Sequence, residues 1–181
     1  ATRTAGSLPG DRGYGGPVRL VADMGAGEAV VGIFVQRPAR RLLVVSTEGR
    51  GFVVPEAGVL ANTRKGKVIM SVGAGEEMRL CVTAAGDTVA ILGENRKMLL
   101  FPLSQVPEMV RGKGVRLQKY KDGTVADVRV FARADGITWV DSSGRPFNGP
   151  FCEWKEGVGE RAQGGRTRPD GCPHSDRSGP V

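Results

Sequence analysis

Residues 89–115 read VAILGENRKMLLFPLSQVPEMVRGKGV, and the same order of features recurs on both sides of this stretch. Residues 42–69 read LLVVSTEGRGFVVPEAGVLANTRKGKVI, and residues 136–166 read GITWVDSSGRPFNGPFCEWKEGVGERAQGGR. Each copy has an apolar run, a turn with Gly or Asn, a basic residue, a second apolar run and a corner of Gly with Lys or Arg. Arg50 and Arg96 are 46 positions apart. A period of this size predicts an array of similar supersecondary units.

The apolar runs of the repeat are short and rich in Val, Ile, Leu or Phe, and Gly, Pro, Asp or Asn residues bound them, as is typical of strands. The turn pairs Glu48-Gly49, Glu94-Asn95 and Ser143-Gly144 hold residues that tolerate positive φ, as tight hairpins require. Evidence for helix is weak: residues 104–110 could form one helical turn, and prolines limit it. The predicted strands are 30–35, 42–45, 51–54, 68–72, 78–83, 88–92, 98–101 and 125–131. Four short strands in about 45 residues predict four-stranded blades of an all-β, propeller-like array, about three units plus a partial first one.

The two ends of the chain differ from the repeated part. Residues 12–20 echo the corner at 111–117, so we expect the chain to open mid-blade, with a larger protein upstream. Residues 164–181 are rich in Gly, Pro, Ser and Arg, which is typical of a disordered tail. The sequence therefore predicts a domain over residues 1–165 and a tail over residues 166–181.

Composition limits the class of partner and the cellular compartment. The formal net charge of +7 favours an anionic partner, with nucleic acid first and a membrane surface or acidic protein next. A merely solvated basic surface is the alternative reading. No apolar run approaches the ~20 residues of a membrane-spanning helix. The 3 cysteines are odd in number and widely spaced, so a disulfide framework is not expected and a reducing compartment is favoured.

The residues needed for catalysis are scarce. His174 is the single histidine and lies in the predicted tail, so a Ser-His-Asp or Cys-His arrangement is not expected in the folded part. Gly66-Lys67 is followed by Val68, which does not match a phosphate-binding loop. Cys172 and His174 lack further ligands nearby, so a zinc site is not predicted. We expect no catalytic residue, cofactor or metal in this chain, and an independent enzyme is disfavoured.

Basic residues recur at matching places in the repeat, and this is the positive functional signal. A glycine beside a lysine lets a phosphate approach backbone N–H groups while the ammonium supplies charge. Such contacts fix a nucleic acid in position without reading its sequence. The alternative is that these charges only solvate hairpin tips. The predicted DNA-contacting residues are Arg50, Arg64, Lys65, Lys67, Arg96, Lys97, Arg111, Lys113, Arg116, Lys119 and Lys121.

Aromatic residues are few and scattered. Tyr14, Tyr120, Trp139 and Trp154 do not form the stacking platforms expected for single strands or RNA loops. Trp139 is expected in the core. The pattern favours a duplex backbone as the partner.

At these residues the sequence resembles the C-terminal domain of the A subunit of bacterial type IIA topoisomerases, that of topoisomerase IV more than that of gyrase. The matching stretches are residues 46–54 (STEGRGFVV), 93–103 (GENRKMLLFPL) and 107–115 (PEMVRGKGV). The similarity reaches to about residue 165.

The resemblance implies a β-pinwheel, in which four-stranded blades exchange strands with their neighbours and a basic rim binds and bends duplex DNA. It implies a non-catalytic domain that presents a DNA segment for strand passage, in decatenation and relaxation. The catalytic core of the same polypeptide and a separate ATPase subunit would be partners, with ATP and Mg²⁺ bound elsewhere in the enzyme. A cytoplasmic, nucleoid-associated location is expected, without a membrane.

Two departures from the family refine this expectation. The gyrase box Gln-Arg-Arg-Gly-Gly-Lys-Gly is matched only by the shorter run at 111–114, which favours bending over full wrapping. The third unit is degenerate and acidic, so the first two units are expected to be the main DNA surface. A propeller-type module that binds an acidic protein remains the alternative function.

Overall fold

Two four-stranded antiparallel sheets form the body of the protein. The computed structural model describes residues 24, 26–37, 39–63, 65–140, 146–149 and 158–167. In chain order the elements are β1 (Arg41–Ser46), β2 (Arg50–Pro55), α1 (Glu56–Val59), β3 (Met78–Thr83), β4 (Thr88–Gly93), β5 (Lys97–Pro102), a 3-10 turn (Leu103–Gln105), β6 (Val115–Arg116), β7 (Val125–Phe131), β8 (Ile137–Val140), β9 (Pro146–Gly149) and β10 (Arg166–Thr167).

The strand order shows that each sheet borrows a strand from the next unit. The first sheet has the order β3-β1-β2-β6, the second has β10-β5-β4-β7, and β8 pairs with β9. Strand β6 follows β4 and β5 along the chain but pairs with β2 of the first sheet. Strand β10 follows β8 and β9 but pairs with β5 of the second sheet. The predicted array of four-stranded blades is thereby confirmed, and strand exchange occurs at both junctions.

The two sheets pack through a shared core. Leu43 and Val53 of the first sheet and Ile91, Leu99 and Phe101 of the second belong to one buried cluster. A second cluster, which includes Phe52, covers the other face of the first sheet. Because strands β1, β2, β4 and β5 are buried on both faces, their sequences read as continuous apolar runs rather than as alternation.

Six of the eight predicted strands are confirmed, and two are wrong. Residues 30–35 form no strand, and Ile33 and Val35 are 78% and 82% exposed. Among the described residues no strand pairs with this segment, so its β-propensity has no ladder to join. Residues 68–72 form only an isolated bridge between Met70 and Gly112. Ile69 and Met70 are buried there, which explains their apolar character without a strand.

The repeat register differs by one residue from the one read in the sequence. Gly49 has φ 74° and Arg96 has φ 61°, so the left-handed position of the second hairpin falls on Arg96 and not on Asn95. The Asn95 side chain accepts a hydrogen bond from the Lys97 backbone N–H, which supports this turn. Arg50 is therefore equivalent to Lys97, the first residue of β5.

The predicted domain end and the predicted tail can be compared with the structure only as far as residue 167. Arg166 pairs with Met98, so the second sheet continues past the predicted domain end at residue 165. Residues 168–181 of the predicted tail and residues 1–23 lie outside the described residues, as do Arg64, Arg145 and Trp154. Trp139 lies in β8 opposite Phe147, but its side chain is outside the description. In the described part of the chain, no helix has the length and apolar character to cross a membrane.

Candidate nucleic-acid interface

The two hairpin turns are joined by the segment that follows β6. The Leu117 N–H donates to the Gly49 carbonyl at 2.7 Å, and the Gln118 side-chain amide donates to the Lys97 carbonyl at 3.4 Å. The Tyr120 ring packs against Gly49 and Gly93, close enough that a Cβ on either glycine would clash with it. Residues 47–50, 94–97 and 111–121 thus form one region, which we call the turn-end surface.

Two arginines face each other on this surface. Arg50 of β2 is paired with Arg116 of β6. The hydrogen bond from Leu117 N–H to the Gly49 carbonyl makes this a non-hydrogen-bonded pair, in which opposing Cα atoms lie about 4.5 Å apart and the side chains are closest. Like charges directly opposite each other are destabilising. An anion placed between the two guanidinium groups would relieve that repulsion.

A glycine corner holds Lys113 beside this pair. Gly114 has φ 72°, and a Cβ there would lie 2.7 Å from the Gly51 carbonyl oxygen. The same left-handed glycine recurs as Gly66 and Gly165, with φ 82° and 71°. A lysine precedes the glycine in the first two corners, whereas the third has Gly164. The corner repeats because its backbone needs glycine, and its charge is present in two copies of three.

Glu76 is an acidic residue at the border of this region. Its carboxylate accepts hydrogen bonds from the Ser46 hydroxyl and from the Gly73 N–H. Burial raises the pKa of the Glu76 carboxyl, but these hydrogen bonds and the charges of Arg50 and Lys113 lower that pKa further than burial raises it. Glu76 is therefore an anion at neutral pH, within electrostatic reach of both cations.

The predicted cations of the turn-end surface keep their charges available. Arg96, Arg111, Lys113, Arg116, Lys119 and Lys121 are exposed, and Arg50 and Lys97 are half-buried. Within the described ranges none of these eight residues forms an ion pair with a carboxylate. By contrast, three other arginines are ion-paired: Arg40 with Glu56, Arg41 with Glu108, and Arg79 with Glu94 of the second hairpin turn. The unpaired cations can therefore meet an external anion.

The predicted corner at 64–67 borders the turn-end surface and contributes one exposed cation among the described residues. Lys65 is exposed, and Arg64 is not among the described residues. The Lys67 ammonium donates to the Gly58 carbonyl at 2.7 Å, so this cation stabilises the backbone near residue 58. This corner leads to Met70, which bridges Gly112, so it lies next to the turn-end surface. A DNA contact at Lys65 or Lys67 stays a prediction.

Two basic residues of the third unit were missed in the sequence. The Arg161 guanidinium donates to the Arg116 carbonyl at 2.9 Å, and the Arg161 N–H donates to the Gln105 side chain at 2.8 Å. Arg166 pairs with Met98 at the edge of the second sheet. Because the third unit is acidic, the sequence did not single out Arg161 and Arg166. The left-handed glycine before Arg166 was the available signal, because it matches Gly114.

The Cys81 thiol and the Tyr120 hydroxyl lie in packed surroundings. Burial raises the pKa of the Cys81 thiol to about 11 and also raises the pKa of the Tyr120 hydroxyl. The Tyr120 hydroxyl donates to the Gln118 side chain at 2.9 Å, and its ring is wedged between the turns. Over the residues that are described, no cluster of three His, Cys, Asp or Glu side chains is placed to hold a metal ion.

Comparison with known proteins places this geometry in one family. Residues 40–79 and 87–132 match the family described as DNA gyrase C-terminal domain, beta-propeller. The chain is 39% identical to the A subunit of DNA topoisomerase 4 from Caulobacter vibrioides over 173 residues, which is 96% of this chain and 22% of that protein. It is 35% identical to the corresponding protein of Rickettsia bellii over 97% of this chain and 23% of that protein. The chain therefore spans less than a quarter of the length of these curated relatives.

Solved structures show the same fold. The chain superimposes on the C-terminal domain of E. coli ParC with a TM-score of 0.77 and 23% identity, covering 92% of this chain and 70% of that one. It superimposes on a C-terminal domain of DNA topoisomerase IV with a TM-score of 0.68 and 16% identity, covering 88% of this chain and 52% of the other.

Proposed function

This chain belongs to the family of C-terminal β-propeller domains of the A subunit of bacterial type IIA topoisomerases, and we propose that it binds and bends duplex DNA without a catalytic site of its own. The observation that carries the proposal is the turn-end surface. Two hairpin turns and one glycine corner there bring together exposed cations that have no carboxylate partner among the described residues. Such a surface suits a polyanion with regularly spaced charges.

The chemistry of the contacts favours the phosphate backbone. Lysine and arginine contacts to phosphate release condensed counterions, which supplies affinity without reading sequence. The described aromatic residue on this surface, Tyr120, is wedged between the turns and leaves no ring for base stacking. The proposal is therefore for a duplex rather than a single strand.

The proposed bending is supported by cations spread over two sheets. Arg50, Lys113 and Arg116 belong to the first sheet and its corner, while Lys97 begins β5 of the second sheet and the Lys119 N–H donates to the Gln163 carbonyl near β10 of that sheet. A rigid duplex that meets both groups gains contacts by curving, and those contacts offset an elastic cost of roughly 1–6 kcal/mol. Fluorescence energy transfer between the ends of a duplex of about 30 base pairs should rise on binding. An unchanged end-to-end distance at saturation would argue against bending.

The role in a larger enzyme is proposed from the family. We propose that this domain presents a DNA segment to the catalytic core of the topoisomerase IV protein that carries it, during decatenation and relaxation. ATP and Mg²⁺ would act at sites elsewhere in that enzyme, and the ATPase subunit would be a further partner. The proposed place of action is the cytoplasm, at the nucleoid.

A direct binding assay tests the proposal against its alternative, an acidic protein partner. The purified chain is titrated with labelled duplex, with the matching single strand and with polyglutamate of equal charge. We expect the duplex to bind most tightly, and nuclease treatment to abolish the signal. Equal or tighter binding of polyglutamate would instead support the protein-interaction module, and no duplex binding at low salt would overturn the proposal.

A further inference from the structure

The Arg50–Arg116 pair requires a counter-charge. Arg50 and Arg116 are opposed across β2 and β6 at one end of the first sheet, and Lys113 directly precedes Gly114, whose backbone packs against Gly51. In the absence of a bound anion their mutual repulsion acts against the pairing of β2 with β6. Glu76 lies beside this group, because the Ser46 hydroxyl contacts both the Glu76 carboxylate and the Arg50 backbone N–H, and the Ser71 N–H donates to the Gly112 carbonyl, next to Lys113. The charges of Arg50 and Lys113 accordingly contribute to the lowered pKa of Glu76.

Glu76 is fixed by groups other than the cations. One carboxylate oxygen accepts from the Ser46 hydroxyl, and the other accepts from the Gly73 N–H at 3.0 Å. The same Ser46 hydroxyl oxygen accepts from the Arg50 backbone N–H at 3.2 Å. Ser46 is fully buried, so it anchors Glu76 and the start of β2 to each other.

Because Glu76 is held by Ser46 and Gly73, it does not accept hydrogen bonds from the side chains of Arg50 and Lys113. In the part of the chain that the structure describes, Glu76 forms no ion pair with Arg50 or Lys113. The carboxylate offsets positive charge in the site but does not take up the guanidinium and ammonium N–H groups. A phosphate can therefore bind these groups while it is repelled by the nearby carboxylate.

We propose that Arg50, Lys113 and Arg116 form one binding site for a phosphate diester of the duplex backbone, and that Glu76 is its internal counter-ion. Glu76 stabilises the empty site and lowers the affinity for DNA. The inference rests on the proposed function and adds to it a specific site and a residue that limits binding strength. Arg161, which donates to the Arg116 carbonyl, holds the outer strand of the site in place.

Glu76→Gln tests this site, because it removes the charge and keeps a side chain of the same shape. Removal of one unit charge from the neighbourhood of a bound phosphate on a partly solvated surface corresponds to about a three- to tenfold tightening of duplex affinity at low salt. The matched control is Glu77→Gln, which changes the net charge equally. Adjacent residues in extended chain point to opposite sides, so we expect less than about a twofold change for the control.

Repeating Glu76→Gln in a chain that lacks two of the cations shows whether its effect on DNA affinity depends on those cations. In an Arg50→Gln/Lys113→Gln chain, adding Glu76→Gln should change the affinity less than about twofold, because the charges that Glu76 offsets are gone. Circular dichroism and the midpoint of thermal unfolding confirm that each variant is folded, and Glu76→Ala replaces Glu76→Gln should the latter unfold.

The outcomes separate this inference from the proposed function. Duplex binding by the unchanged chain, with no gain in the Glu76 variants or an equal gain in Glu77→Gln, overturns the inference alone. A gain that persists in the Arg50→Gln/Lys113→Gln background also overturns it. Failure of the unchanged chain to bind duplex at low salt overturns both.

Discussion

Arg50 and Arg116 are 66 positions apart in the sequence, and only the register of β2 against β6 brings them face to face. The sequence identified both as candidates because each follows a turn or a corner. It could not pair them, because pairing depends on a strand taken from the following unit. Arg161 lies in the acidic third unit, and its contact with Arg116 likewise crosses from one unit to another.

The buried ion pair between Arg40 and Glu56 gives a stability prediction at the residue scale. Glu56 is 1% exposed and accepts from Arg40 at 2.6 Å and from the Arg37 N–H at 2.9 Å. Arg40→Ala leaves a buried carboxylate without its partner, which costs about 3–5 kcal/mol of unfolding free energy. Arg41→Ala is the matched control, because its pair with Glu108 is half exposed and is worth about 0–1 kcal/mol. Urea denaturation at neutral pH measures both, and equal losses would contradict this account.

The same pair predicts a dependence of stability on pH. Hydrogen bonding to Arg40 is the largest cause of the lowered pKa of Glu56, and it outweighs burial, which raises that pKa. A carboxyl with a lowered folded-state pKa stabilises the fold above its unfolded pKa of about 4.3, and this contribution is lost as pH falls through the folded-state pKa. The stability gap between the unchanged chain and Glu56→Gln should therefore shrink from about pH 7 to about pH 3. A gap that widens on acidification would be inconsistent with the pair.

At the scale of elements, the hairpins were predictable and their exact turns were not. Apolar runs bounded by turn residues located β1, β2, β4 and β5, because strands buried on both faces have a strong compositional signal. The left-handed residue of the second hairpin is Arg96, although the sequence pointed to Asn95. Asn95 instead supports the turn through its side chain, which composition alone cannot distinguish. The segment 30–35 has strand composition but no partner strand among the described residues.

The glycine corner gives a prediction for the exchanged strand. Gly75 and Gly114 both have positive φ, but a Cβ at Gly75 would meet nothing within 4 Å, whereas one at Gly114 would meet the Gly51 backbone. Gly75→Ala should cost only the left-handed penalty of about 1–2 kcal/mol. Gly114→Ala should cost more, and amide hydrogen exchange should show lost protection at Leu117, whose N–H bonds to Gly49. Equal costs for the two variants would show that the close contact is unimportant.

For the whole molecule, the period in the sequence predicted the blades, and the observed strand order shows how each blade takes a strand from the next unit. Strand exchange followed only from the family resemblance, because β6 and β10 are two residues long and carry no pattern of their own. Exchange also explains the site, since a cation from one unit is brought beside the hairpin of the previous one. The turn-end surface is therefore a property of the assembled units.

The salt dependence of duplex binding tests the turn-end surface most directly. Lys113→Gln/Lys119→Gln removes two exposed cations from that surface. Arg41→Gln/Arg133→Gln removes one charge at the other end of β1 and one two residues past the end of β7, about 15–20 Å away along the strands. The plot of log affinity against log salt should be linear, with a slope reduced by about 1.8 in the first variant and unchanged in the second. Equal slopes in the unchanged chain and both variants would contradict the assignment of DNA binding to the turn-end surface.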